Sequence, residues 1–179
     1  MRILIYPIAL AYSVGIAYAQ VERPSSLKTV TKIMAEAVVA QDYTTAAELT
    51  YVPVHIEFDK KAVADQIRAN FDVVNKEGIQ LLSMNFHEPE ESIQVDGQLH
   101  AVVPFTGVLD LGNPKVGKGK LEFYSFYYAI SSNSGITWKL LDGSRLTSKN
   151  IKVIFPAYTG VPKLPEKRKP IFFPDSSSK

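Results

Sequence analysis

Proton transfer is the chemistry for which this sequence has the side chains. Tyr43 and Tyr51 stand close together in the N-terminal third, His100 lies near the middle, and Glu122 and Asp142 follow in the last third. Each can give or take a proton once its surroundings move its pKa toward neutrality. Their spacing does not force them into one site, and the bland reading of each is a surface group or a satisfied polar group at an interface. Metal binding has a thinner basis. His55-Ile56-Glu57 can put two ligands on one side of a strand, and His87 precedes Glu88, Glu90 and Glu91. Neither has the helical His-x-x-x-His spacing that makes a transition-metal site specific. The acidic group flanks Pro89 and reads as a solvated turn. The chain has no cysteine, which removes disulfides, thiolate zinc sites, iron–sulfur ligation and thiol nucleophiles. It also lacks a Gly-x-Ser-x-Gly elbow and a phosphate-cradling glycine pattern, so no cofactor is expected.

The first residues bear on where such chemistry would take place. Arg2, the apolar run from Ile3 to Ala17 and the small-x-small triplet Ala17-Tyr18-Ala19 predict a signal peptide over residues 1–19, with the mature chain starting at Gln20. Pro7, Tyr12 and Ser13 interrupt the run, which is too short to cross a bilayer comfortably. A periplasmic or secreted protein is expected, with no membrane attachment after the leader is removed. The 160 residues that are left suit one domain with one core.

Three helical patterns come first. Leu27, Val30, Met34, Ala37 and Val38 recur at helical spacing behind Ser25 and Ser26, either of which can cap. Asp42 can cap a short second helix that ends before Pro53. A third starts after Asp59, is expected to bury Val63, Ile67, Phe71 and Val74, and stops at Gly78. The period then changes from about 3.6 to 2, the mark of strands. Leu82, Met84 and Phe86 are expected on a dry face, with Ser83, Asn85 and His87 on a wetter one. Asp96-Gly97 predicts a tight hairpin between Ser92–Val95 and Gln98 onward. Gln98–Leu111 and Leu121–Ser132 read as long strands, Ile136–Leu141 as another, and Ile151–Phe155 as a short further strand.

The long strands are apolar on both faces. Leu99, Ala101, Val103 and Phe105 alternate with His100, Val102, Pro104, Thr106 and Val108, and Tyr127 and Ala129 alternate with Phe126, Tyr128 and Ile130. One face can pack under the helices and the other needs a second cover. A homodimer joined through the open sheet face is the expected solution. If Leu99, Val103 and Phe105 face the helices, His100 points into that interface.

The order of these elements, together with the junction Ala40-Gln41-Asp42-Tyr43 and the helix run Ala46-Ala47-Glu48-Leu49, resembles the NTF2-like (cystatin-like α+β) superfamily over roughly residues 25–146. The resemblance implies an α+β fold: three N-terminal helices packed in a strongly curved antiparallel sheet of about four to five strands, forming a cone around a pocket. Domain limits of 20–155 for the cone and 156–179 for a C-terminal tail follow. Members include ketosteroid isomerase, scytalone dehydratase, polyketide cyclases, limonene epoxide hydrolase and many that only bind or scaffold, so the fold does not select a chemistry. Enzymatic members place acid/base groups in the apolar cone, for which Tyr43, Tyr51, His100, Glu122 and Asp142 are the candidates here. Ser131-Ser132-Asn133-Ser134-Gly135-Ile136-Thr137-Trp138 also resembles the sialidase Asp-box, Ser-x-Asp-x-Gly-x-Thr-Trp, with Asn133 in place of the Asp. A turn that hydrogen-bonds itself above a packed Trp138 is implied, with glycan contact as a lesser reading.

The tail completes the pattern. Pro156, Pro162, Pro165, Pro170 and Pro174 break regular structure, and residues 163–179 carry a surplus of three positive charges against a deficit of two in residues 20–162. Such a body offers no electrostatic footprint for nucleic acid. Disorder is one expectation for the tail. The other is that Ile171, Phe172 and Phe173 dock on their own domain or on a partner. The functional expectation is a non-catalytic binding protein for a small apolar ligand or a protein partner. An acid/base isomerase, dehydratase or cyclase comes second, and a cell-envelope structural or glycan-contacting module third.

Overall fold

The computed structural model describes residues 26–53, 59–112 and 118–175. The expected signal peptide and the pair His55 and Glu57 lie outside the described residues. The fold is α+β, and the described residues form four helices and a six-stranded antiparallel sheet that is not closed. Helix α1 is Leu27–Val39, capped by Ser26 Oγ, which accepts from Thr29 N–H. Helix α2 is Tyr43–Leu49, where Asp42 Oδ1 accepts from Thr45 N–H. Helix α3 is Lys60–Lys76, where Asp59 Oδ1 accepts from Ala62 N–H. All three caps satisfy amides that the first turn leaves without partners.

The sheet is built on a long ribbon, β3 (Gln98–Leu111) paired with β4 (Gly119–Ser131). Each outer edge of the ribbon is shared by two short strands. Strands β1 (Ile79–Phe86) and β2 (Ile93–Val95) pair with the two halves of β3, while β5 (Lys139–Asp142) and β6 (Ile171–Pro174) pair with the two halves of β4. Asp96 and Gly97 both take positive φ in the β2–β3 turn, as an Asp-Gly hairpin requires.

The inner face packs on helices. Val30, Met34, Ala37 and Val38 of α1 and Ala46 of α2 meet Ala101 and Val103 of β3, Ala129 of β4, Trp138 and Leu140 of β5 in one buried cluster. Two sequence expectations need correction on this face. A register shift between Leu81 and Ser83 in β1 turns Leu82 outward, so Leu81, Met84 and Phe86 pack inward instead of Leu82, Met84 and Phe86. An inserted residue reverses the side-chain parity that alternation assumes. Along α3 only Ala64 is fully buried; Val63, Ile67 and Phe71 are half-buried and Val74 is exposed. The stripe that periodicity assigns to the core faces a hollow.

The outer face has its own core. Val102, Phe126, Tyr128 and Ile130 lie under Leu146, Ile151, Phe155 and Tyr158, with Leu164 packed at the side. This cover is the chain's own C-terminal segment, so a second subunit is not needed to hide that end of the sheet. The expected strand at Ile151–Phe155 is corrected to a helical turn, α4 (Ile151–Ile154). Thr147 N–H donates to Asn150 Oδ1, Asn150 N–H donates to Thr147 Oγ1, and Ile151 N–H donates to Thr147 O, which starts the turn. Ile151 and Phe155, four residues apart, then fall on one face and are buried, while Val153 is left 77% exposed.

Past Leu164 the tail runs extended beside β4, Arg168 lies 5.2 Å from the Tyr124 ring centroid, and β6 pairs antiparallel along Gly119–Glu122. Gly119 is needed there, because a Cβ at that position would strike the Phe173 carbonyl oxygen and the Pro174 backbone. The disorder expectation gives way for residues 163–175. Ile171, Phe172 and Phe173 dock on their own sheet through the backbone and leave their side chains about half exposed.

Candidate functional site

The hollow under α3 is a cavity of about 450 Å³ between that helix and the inner face of the sheet. Its walls follow from element geometry. Ile67, Phe71 and Val74 share one face of α3 at helical spacing, while Phe105, Leu109, Phe123 and Tyr127 are alternate residues on β3 and β4 and therefore share one face of the ribbon. Gly107 stands opposite Phe123 across the ribbon, and a Cβ there would collide with the Phe123 ring. The missing side chain lets that ring lie over β3 as the cavity floor.

Thr50, Asn70, Asn75, Ser125 and Ser144 interrupt this mainly apolar lining with uncharged polar groups, and Tyr127 and Asp142 add a phenol and a carboxylate. Tyr127 and Asp142 are Cα partners across β4 and β5, and both line the cavity. Withdrawal from water pushes the Tyr127 phenol far above the usual tyrosine value, and the Asp142 charge pushes it further the same way. Tyr127 is thus a neutral hydrogen-bond donor at any ordinary pH. Asp142 also closes the turn after β5: its Oδ1 accepts from Ser144 N–H at 2.8 Å and its Oδ2 from Ser144 Oγ at 3.0 Å.

The other proton-transfer candidates are dispersed. Tyr43 is buried between α2 and α3, its ring 5.7 Å from Phe71 and 5.8 Å from the Arg68 guanidinium, and its hydroxyl finds no partner among the described residues. Burial raises its pKa, Asp72 adds to the rise, and Arg68 opposes it. Tyr51 packs on Phe155 on the opposite side of the sheet, with its pKa raised by burial. His100 belongs to the outer core. With the ring as its Nε2–H tautomer, Tyr128 O–H donates to Nδ1 at 2.9 Å, and Nε2–H faces Gln98 Oε1, 3.4 Å away. The Phe155 ring meets it edge-on at 4.8 Å, and burial lowers its pKa to about 4. Glu122 accepts from Tyr124 O–H at 2.8 Å beside β6, which raises the Tyr124 pKa, first through that bond and then through charge. Of the five candidates only Asp142 reaches the cavity. Tyr127, its neighbour there, was hidden in a run of aromatic strand residues, and only the β4–β5 register marks it.

A second hollow of about 900 Å³ opens on the outer face between Tyr124, Phe126 and the strap of residues 163–168. It is larger, and beside Phe105, Phe123, Phe126, Leu146 and Leu164 it carries mixed charges from the strap, among them Lys163, Glu166, Lys167 and Arg168, so its lining is less uniformly apolar than that of the first hollow. His87, at its edge, shares a hydrogen bond with Thr106 Oγ1 through Nε2 at 2.8 Å. Among the described residues no three His, Asp or Glu side chains converge as a metal-ligand set.

The 131–138 motif turns on itself. Asn133 Oδ1 accepts from Ser131 Oγ at 3.0 Å and from Thr137 N–H at 2.9 Å, Asn133 Nδ2 donates to Thr137 Oγ1 at 2.8 Å, and Gly135 N–H donates to Ser131 Oγ at 2.8 Å. Ser134 and Gly135 take positive φ, and Trp138 is buried against the inner core. The side chains of Ser131, Asn133 and Thr137 are thus committed to the turn. No described helix is long and apolar enough to cross a membrane. In comparison with known proteins, no family model matches the chain and no curated protein matches it in sequence.

Proposed function

We propose that this chain is an exported, non-catalytic NTF2-like protein that holds a small apolar ligand in the cavity between α3 and the inner sheet face. The observation that carries the reading is the hollow itself, because an apolar stripe that is left unpacked forfeits burial and contact energy that filling the space would recover. Three helices ahead of an antiparallel meander, with a cavity between the two layers, support the NTF2-like kinship and its cone arrangement. Export rests on Arg2, the run from Ile3 to Ala17 and Ala17-Tyr18-Ala19. The non-catalytic reading rests on the scatter of Tyr43, Tyr51, His100 and Glu122 away from the cavity. The acid/base alternative keeps one supporting observation, the pairing of Tyr127 with Asp142 on the cavity wall. Homodimer formation draws on the surface outside the C-terminal cover, where Ile171, Phe172 and Phe173 are exposed.

Native mass spectrometry of the mature chain, with uptake of the neutral fluorescent probe N-phenyl-1-naphthylamine, tests the reading and reports subunit number. A co-purifying small molecule or probe uptake is expected, and Val74→Trp at the cavity rim should weaken uptake. A chain that carries nothing and takes up no probe would end the proposal.

A further inference from the structure

The binding reading leaves the ligand's chemistry open, and the cavity wall narrows it. Among the described lining residues none is Lys, Arg or His, while Asp142, an exposed residue, supplies the one carboxylate. An anion entering this space would shed hydration, meet a like charge and find no cation to pair with. A hydroxyl head has a use for both polar neighbours: it can accept from Tyr127 O–H and donate to Asp142. These two side chains come from directly paired positions on adjacent strands, so they share one face and one end of the cavity. Most of the remaining wall is hydrocarbon and aromatic carbon, including Phe71, Phe105 and Phe123, and its other polar residues, Thr50, Asn70, Asn75, Ser125 and Ser144, are all uncharged. The geometry points to an uncharged apolar alcohol as the ligand class, its hydroxyl held between Tyr127 and Asp142, with carboxylates and phosphates rejected. This inference rests on the cavity being a binding site.

Competition against bound N-phenyl-1-naphthylamine tests it with three ligands of matched chain length: 1-decanol, its methyl ether and decanoate, each below its aggregation concentration. Decanol should displace the probe best, the ether about fivefold less well because it cannot donate, and decanoate at least about tenfold less well. Asp142→Asn keeps the acceptor that closes the turn at Ser144 and should bring decanoate to within about threefold of decanol. Tyr127→Phe should weaken decanol more than the ether. Decanoate binding as well as decanol, or a discrimination unmoved by Asp142→Asn in a variant that melts like the native protein, overturns the ligand class while leaving a binding cavity in place. Failure of the probe itself to bind overturns the cavity reading and this inference together.

Discussion

His100 is 1% exposed, its ring is held by Tyr128 and Phe155, and among the described residues no carboxylate stands against it to stabilise a positive charge. Its folded pKa of about 4 lies below the ordinary imidazole value of 6.5. The folded state therefore binds fewer protons than the unfolded one between these values, and stability falls as pH drops through that window. Stability should be level above about pH 6.5, decline toward pH 4 by roughly 3 kcal/mol, and level off below. Urea unfolding from pH 7 to pH 4 checks this. The His100→Gln variant should lose the part of the slope that the exposed carboxylates do not supply, and an identical slope in both proteins would count against the assignment. Asn133 makes a second residue-scale case. Asn133→Ala removes three hydrogen bonds from a part-buried turn and should cost about 1–3 kcal/mol in urea unfolding. The turn chemistry of Ser131–Trp138 was legible from residue types alone, since Asn, Gly and Thr at that spacing have local partners. The burial of His100 was legible only as a conditional on strand parity.

At the scale of elements, β6 shows how a sheet edge is ended. Asp175 N–H donates to Lys118 O, and amide direction alternates along a strand, so Phe173 and Ile171 turn their amides toward β4. Phe172, Pro170 and Pro174 then face outward, and proline has no N–H. The outer edge keeps the Phe172 amide as its one donor between two prolines, which blocks further strand addition. Replacing Pro170 and Pro174 by Thr should give concentration-dependent association in light scattering, whereas a monodisperse double variant would refute the edge argument. The short helix α4 carries the second element-scale prediction. Ile151 is fully buried in the outer core, and Ile151→Ala should cost about 2–5 kcal/mol in chemical denaturation. Its helical form was misread from the sequence because Ile151, Val153 and Phe155 also fit a period of 2. Four residues are too few to separate two periods, and the Thr147–Asn150 hydrogen bonds decide the matter.

At the scale of the whole molecule, the C-terminal segment is the second wall of a three-layer body. Helices cover the inner face of the ribbon and residues 146–164 cover the outer one. Deleting residues 163–179 removes β6 and Leu164, so the melting temperature should drop and the bared β4 edge should promote association. Calorimetry and light scattering of the truncated chain at the same concentrations read both effects, and an unchanged melt would show that the strap contributes nothing. The cavity follows from the same layering. Ile67, Phe71 and Val74 of α3 bound the hollow on one side, and Ile79, Leu81 and Met84 of β1 with Phe105 and Leu109 of β3 bound it on the other.

Local rules carried the sequence a long way, because caps, turns and alternation are decided by neighbours within a few residues. Ser26, Asp42 and Asp59 start the helices, Asp96-Gly97 turns the hairpin, and the long strands β3 and β4 follow from their alternating apolar faces. Tertiary structure alone decided which segment covers the outer face, that the stripe of α3 borders a cavity, and that Tyr127 meets Asp142. Those outcomes depend on contacts between residues far apart in the chain, and hydrophobic pattern specifies that a surface must be hidden without specifying what hides it.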